Sequence, residues 1–101
     1  MLAAMAVSIT VLASGSKGNC TLISSGGTRL LVDAGLSCRQ LLRRMALCGA
    51  SPSDIDAILI THEHSDHVGG LHVLAKRLKI PVYMTGATHE AYHRCARDSA
   101  G

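Results

Sequence analysis

The sequence predicts an α+β domain, a mixed β-sheet with helices on its outer face. A β-rich opening predicts the sheet, because residues 8–13, 21–25 and 28–32 alternate or run apolar between clusters of turn residues. From residue 38 onward, stretches of helical periodicity exchange with short apolar runs, the order of a sheet that acquires helices as it grows. A length of 101 residues allows one hydrophobic core.

Ile9 and Val11 set the alternation of the first strand, Ser8 to Ala13, which ends in Ser14-Gly15-Ser16-Lys17-Gly18-Asn19. This loop is glycine-rich, yet Lys17 precedes its second glycine and no helical pattern follows, so it is not a phosphate-cradling P-loop. It reads as a plain turn, with an anion-contacting loop of backbone N–H groups as the alternative. Thr21 to Ser25 and Thr28 to Val32 flank Gly26-Gly27, whose freedom at positive φ suits a two-residue hairpin turn. The hairpin delivers Asp33 to a strand end, where its carboxylate would brace a histidine or simply cap a turn.

Ser37-Cys38-Arg39-Gln40 is a capping box, followed by Cys38, Leu41, Leu42 and Met45 at helical spacing and by Gly49 as the stop. Arg39, Arg43 and Arg44 read as the solvated face of that helix rather than a nucleic-acid patch. Ser51 to Asp54 begins a short helical turn, with Pro52 at its first position, and Ala57 to Ile60 is a buried strand. Leu71, Leu74, Ala75 and Leu78 mark the next helix, with Lys76, Arg77 and Lys79 outward. Residues 80–84 read as a strand with Pro81 near its start, and Thr85 to Arg97 as the last helix.

Composition narrows the partners. Hydrophobic residues make up 48% and charged residues 17%, as in a globular chain, but Phe and Trp are absent and Tyr83 and Tyr92 are the only aromatics. Readers of single strands that stack bases on aromatic rings are disfavoured on that count. A net charge of +3 permits a polyanionic partner without requiring one. Cys20, Cys38, Cys48 and Cys95 are too widely spaced for a CxxC motif and read as reduced cytoplasmic thiols, Cys38 as a small buried residue. No stretch reaches transmembrane length, so no membrane partner is expected. The apolar start lacks the preceding basic residues of a signal peptide, and Met5 is an alternative initiator to Met1.

Chemistry concentrates in Thr61-His62-Glu63-His64-Ser65-Asp66-His67-Val68-Gly69-Gly70. His62 and His64 are two apart, so in extended chain leaving a strand their side chains share a face and converge on one ion. Asp66 and His67 are adjacent and meet a second ion only if the chain turns, which Val68-Gly69-Gly70 allows. Imidazole with carboxylate suits Zn²⁺ first, with Mn²⁺ or Fe²⁺ as substitutes. His89-Glu90-Ala91-Tyr92-His93 also matches H-E-x-x-H, in which two helical histidines bind zinc. With no further H-x-x-G-x-x-H and with Arg94 and Arg97 beside it, the segment reads as a solvated helix face, and His72 as surface or a supporting residue.

His62-Glu63-His64-Ser65-Asp66-His67 resembles the HxHxDH signature of the metallo-β-lactamase superfamily, and Asp33 resembles its aspartate at an earlier strand end. Ser14-Gly15-Ser16-x-Gly18-Asn19-Cys20, Asp33-Ala34-Gly35-Leu36-Ser37 and Ile80-Pro81-Val82-Tyr83 look further like the YycJ-like (WalJ-like) branch, so the resemblance covers nearly the whole chain. It implies the N-terminal half of a four-layer αβ/βα sandwich, with residues 1–101 as a domain cut after its first half. It implies metal ligation by His62 and His64 at one ion and by Asp66 and His67 at the other, a catalytic part for Asp66 and a supporting one for Asp33. The implied activity is DNA exonuclease chemistry with a metal-bridging hydroxide as nucleophile. Thioesterase or lactonase action is the enzymatic alternative, and a noncatalytic metal- or nucleic-acid-binding fragment the other. One further histidine per ion and a bridging aspartate would come from a second half. Without that half, one sheet face should expose aliphatic side chains of Ile58, Ile60 or the hairpin.

Overall fold

The β-branched and aliphatic runs pair into one five-stranded sheet in a computed structural model that describes residues 6–62 and 64–100, the side chains of 65, 66 and 95–100 excepted. Strands β1 (Val7–Ala13), β2 (Cys20–Ser25) and β3 (Thr28–Val32) form an antiparallel meander. Strands β4 (Ala57–Leu59) and β5 (Val82–Tyr83) then add in parallel, in the spatial order β1-β2-β3-β4-β5. The sheet is mixed because β2 and β3 need only a two-residue turn. Each parallel addition needs a crossover, supplied by helix α1 (Cys38–Leu47) and then by α2 (Ser65–Val68) and α3 (Leu71–Leu78). Helix α4 (Gly86–Ala100) follows β5.

At the hairpin, Gly26 has φ of 58° and Gly27 does not share the positive region, the pattern of a II′ turn rather than the I′ turn that two glycines also permit. Ser37 accepts a hydrogen bond from the backbone of Gln40 and starts α1. The helix stops where Gly49 (φ 79°) donates to Ala46 and Ala50 donates to Met45, the paired bonds of a Schellman ending. Arg39, Arg43 and Arg44 lie on the exposed face as expected, and the Arg44 guanidinium also donates to the Leu12 carbonyl at 2.7 Å, tying α1 to the end of β1. Strand β5 is shorter than the apolar run of residues 80–84. The Pro81 carbonyl accepts from Ile58 of β4 and the Tyr83 carbonyl from Ile60 just after it, while the proline nitrogen has no hydrogen to give.

Leu22, Leu31 and Ile58 project from one sheet face and pack with Leu41 and Met45 of α1 and Leu71 and Leu74 of α3. Full burial of an aliphatic side chain of this kind contributes about 1.5–3 kcal/mol. Their strand neighbours point the other way. Ile9 pairs with Ile23, Ile23 with Leu30, and Val32 with Leu59, so these side chains share the opposite face. There Val7, Ile9 and Val11 are exposed, Ile9 to 66%, and Ile23, Leu30, Val32 and Leu59 are half-buried. An uncovered aliphatic face was expected from Ile58, Ile60 or the hairpin, and of these the hairpin contributes, through Ile23, Leu30 and Val32. Ile58 is wholly buried and Ile60 nearly so, because position 58 falls on the helix-covered side of the two-residue alternation.

Candidate metal centre

The histidine segment begins where β4 ends and is anchored from the neighbouring strand. Asp33, directly after β3, adopts φ of 67°, a left-handed conformation that aspartate tolerates better than most residues. Its backbone N–H donates to Leu59 at 2.7 Å, Ala34 donates to the His67 carbonyl at 2.8 Å, and Gly70 donates to Ala34 at 2.7 Å. The two residues after β3 thus hold the strand end before the histidines and the turn after them. Gly70 is required by this closeness, since a Cβ there would lie 2.0 Å from the Leu36 carbonyl oxygen.

The Asp33 carboxylate, 6% exposed as a residue, gathers the site. Its Oδ1 accepts from the Thr61 backbone at 2.8 Å, and its Oδ2 accepts from the Thr61 hydroxyl at 2.7 Å and stands 2.7 Å from His67 Nδ1. Thr61 Oγ1 is also 3.0 Å from His62 Nδ1. For neutral imidazoles these contacts favour one tautomer each. A hydroxyl has one proton, and that of Thr61 goes to the carboxylate, so Oγ1 accepts from His62 Nδ1–H. His67 likewise places its proton on Nδ1, against Asp33. In the neutral imidazoles this arrangement puts the proton on Nδ1, the tautomer in which histidine binds a metal through Nε2, oriented by partners on the other nitrogen.

The single helical turn α2 brings His67 back beside His62, with the His67 and Val68 N–H groups both donating to the His64 carbonyl. The rings of His62 and His67 are 4.8 Å apart, and those of His62 and His64 lie 6.0 Å apart and near parallel, at 28°. Three imidazoles thus occupy one end of the sheet. The side chain of Asp66 and the whole of Glu63 lie outside the described residues. Among the described residues no three His, Cys, Asp or Glu side chains converge as a finished ligand set. The donor types nonetheless fit a borderline divalent ion.

Thr61 carries a role that residue reading did not give it. The available signal was a β-branched hydroxyl between an apolar strand and the first histidine. Nearby, Cys20 is buried, and desolvation, with a smaller contribution from the Asp33 charge, pushes its thiol up to about 12. The glycine-rich loop is closed by its own Asn19, whose amide donates to the Gly15 carbonyl and accepts from the Gly15 N–H. His72, His89 and His93 stand apart, around a cleft between α3 and α4.

A family model described as the metallo-beta-lactamase superfamily matches residues 13–101. The chain belongs to the metallo-β-lactamase superfamily. Within it, the chain is 45% identical over 82 residues to exodeoxyribonuclease WalJ of Streptococcus pneumoniae, covering 81% of this chain and 30% of that protein. It is 42% identical over 87 residues to exodeoxyribonuclease YycJ of Bacillus anthracis, covering 86% and 33%. Among solved structures, a motif mutant of a metallo-β-lactamase from Cronobacter sakazakii superposes with a TM-score of 0.72 at 27% identity, over 81% of this chain and 33% of the other. The chain therefore spans about a third of the length of each of these three proteins, and its mixed sheet corresponds to part of the fold of the last. No helix among the described residues is long and apolar enough to cross a membrane.

Proposed function

We propose that this chain is the N-terminal, metal-binding part of a metal-dependent phosphodiesterase that removes nucleotides from DNA ends. The observation that carries the reading is the Asp33–Thr61–His62–His67 network, which holds two imidazoles at a strand end by their Nδ1 atoms. The exodeoxyribonuclease names of two relatives support DNA as the substrate.

His62 and His64 would hold one divalent ion and Asp66 and His67 the second, zinc being the expected metal and manganese or iron the substitutes. A pair of such ions supplies Lewis acidity and lowers the pKa of water near a scissile phosphate. The chain's own residues do the orienting. Asp33 keeps the His67 proton on Nδ1 and fixes the ring plane, Thr61 does the same for His62, and the Gly70 bond to Ala34 holds the turn that follows α2. Asp66 is the carboxylate assigned to the reacting centre.

The test uses a protein extended to the length of its relatives, with DNA labelled at either end. We expect metal-dependent release of nucleotides, lost on chelation and in a His62→Ala, His64→Ala double variant. Equal or better turnover of thioesters or lactones with DNA untouched, under matched metal and salt, would assign the site to acyl-ester chemistry instead. Stoichiometric metal binding with neither activity would leave a binding module.

A further inference from the structure

Histidines four apart on a helix share a face, and on α4 the structure brings His89 and His93 together until their Nε2 atoms are 3.0 Å apart. The ring centroids are separated by 4.3 Å with the planes at 70°. Both rings line a cleft of about 450 Å³ between α3 and α4, with apolar walls from Leu71, Ala75, Val82 and Met84 and with His72 on the α3 side. We propose that His89 and His93 form a bis-histidine site for a divalent transition-metal ion, separate from the histidine segment after β4. It goes beyond the proposed nuclease function and does not depend on it.

Two neutral imidazoles at this distance share one hydrogen bond, with one Nε2–H donating to the other Nε2. Ion binding replaces that bond. The donor ring moves its proton from Nε2 to Nδ1, both rings stay neutral, and two lone pairs converge on the metal. Nitrogens about 2.0–2.1 Å from one ion, at angles between about 90° and 110°, lie about 2.9–3.4 Å apart. The observed 3.0 Å falls at the right-angle end of that range, which suits nickel or copper better than tetrahedral zinc, and α4 need not rearrange. Glu90 is exposed and one position, roughly 100° of helix, away from His89, so it is not aimed at water on such an ion. The site is therefore a binding site and not a zincin centre. Since no third ligand converges among the described residues, solvent fills the other positions, on the side facing the cleft.

Ni²⁺ alone is the probe. In a His62→Ala, His64→Ala, His67→Ala background, calorimetry should still find one equivalent of Ni²⁺. Paramagnetic broadening should reach the His89 and His93 imidazole resonances first. Adding His89→Gln or His93→Gln should weaken that binding at least about tenfold. A folded triple variant that takes up no Ni²⁺, or a His93→Gln change without effect, would overturn the proposal. If the triple variant fails to fold, His89→Gln, His93→Gln in the otherwise unchanged chain decides: one equivalent fewer supports the site, and unchanged stoichiometry refutes it.

Discussion

Asp33 couples the fold to the proposed chemistry, and two substitutions separate the couplings. Asn tolerates the left-handed backbone at φ 67° but lacks the negative charge. Asp33→Asn should leave the far-ultraviolet spectrum unchanged and weaken zinc binding at the His62–His67 segment about 10- to 100-fold, the usual cost of removing a carboxylate behind a ligand histidine. Alanine removes the acceptors for the Thr61 N–H and hydroxyl and is strained at that φ, so Asp33→Ala should lose about 2–4 kcal/mol of stability in urea titration. Wild-type stability for the alanine variant would mean the carboxylate does not hold the site together. Cys20 gives a test of burial alone. Its thiol is raised from 9.0 to about 12, so the unfolded chain ionises first, and stability present below pH 9 should be lost progressively as pH rises toward 12. At pH 8, alkylation followed by peptide mapping should modify exposed Cys48 and spare Cys20 until the chain is unfolded.

At the scale of elements, the candidate centre is a crossover connection made rigid. The segment between β4 and α3 is bonded at both ends to residues 33 and 34, and Gly70 lets it pass against the Leu36 backbone. Because the obstructing atom is a backbone oxygen, Gly70→Ala cannot be absorbed by a rotamer change. It should cost about 1–3 kcal/mol and weaken metal binding with it. Calorimetry showing full metal affinity in a Gly70→Ala protein would dissociate the turn from the site. The Ser37 hydroxyl accepts from Gln40 at the start of α1 and not from the site residues, although its neighbours Leu36 and Cys38 lie against Gly70, so Ser37→Ala should cost about 1 kcal/mol and leave metal affinity alone.

For the whole molecule, the sheet has, among the described residues, one helix-covered face and one that no helix covers, where Val7, Ile9 and Val11 stand exposed on an edge strand beside half-buried Ile23, Leu30 and Val32. Such a face favours association. Sedimentation of the 101-residue chain should show concentration-dependent self-association, reduced by Ile9→Lys; a monodisperse monomer at high concentration would contradict this. The same chain should hydrolyse little. The proposed ligation supplies two protein ligands per ion, short of the three that catalytic zinc usually has. Robust turnover by a monomeric 101-residue preparation, abolished by His64→Ala, would show that no further ligands are needed.

What the sequence determined by itself was local in origin. Alternation around Ile9 and Val11, the Gly26-Gly27 turn, the Ser37 cap and the Gly49 stop depend on neighbours within a few residues, and each appears where its chemistry demands. The density of histidines after residue 61 was equally visible, because ligand spacing is a property of the chain. Only the tertiary structure decided which side of the sheet is bare: four consecutive apolar residues, 57–60, do not say which of them faces the helices until α1 and α3 have packed over Ile58. It also decided that Thr61 shares the Asp33 carboxylate with His67, since their separation of 28 residues is closed only by β3 lying beside β4. The same packing set the His89–His93 pair beside His72. Spacing can place two histidines on one helix face, but the cleft in front of them belongs to α3 as much as to α4.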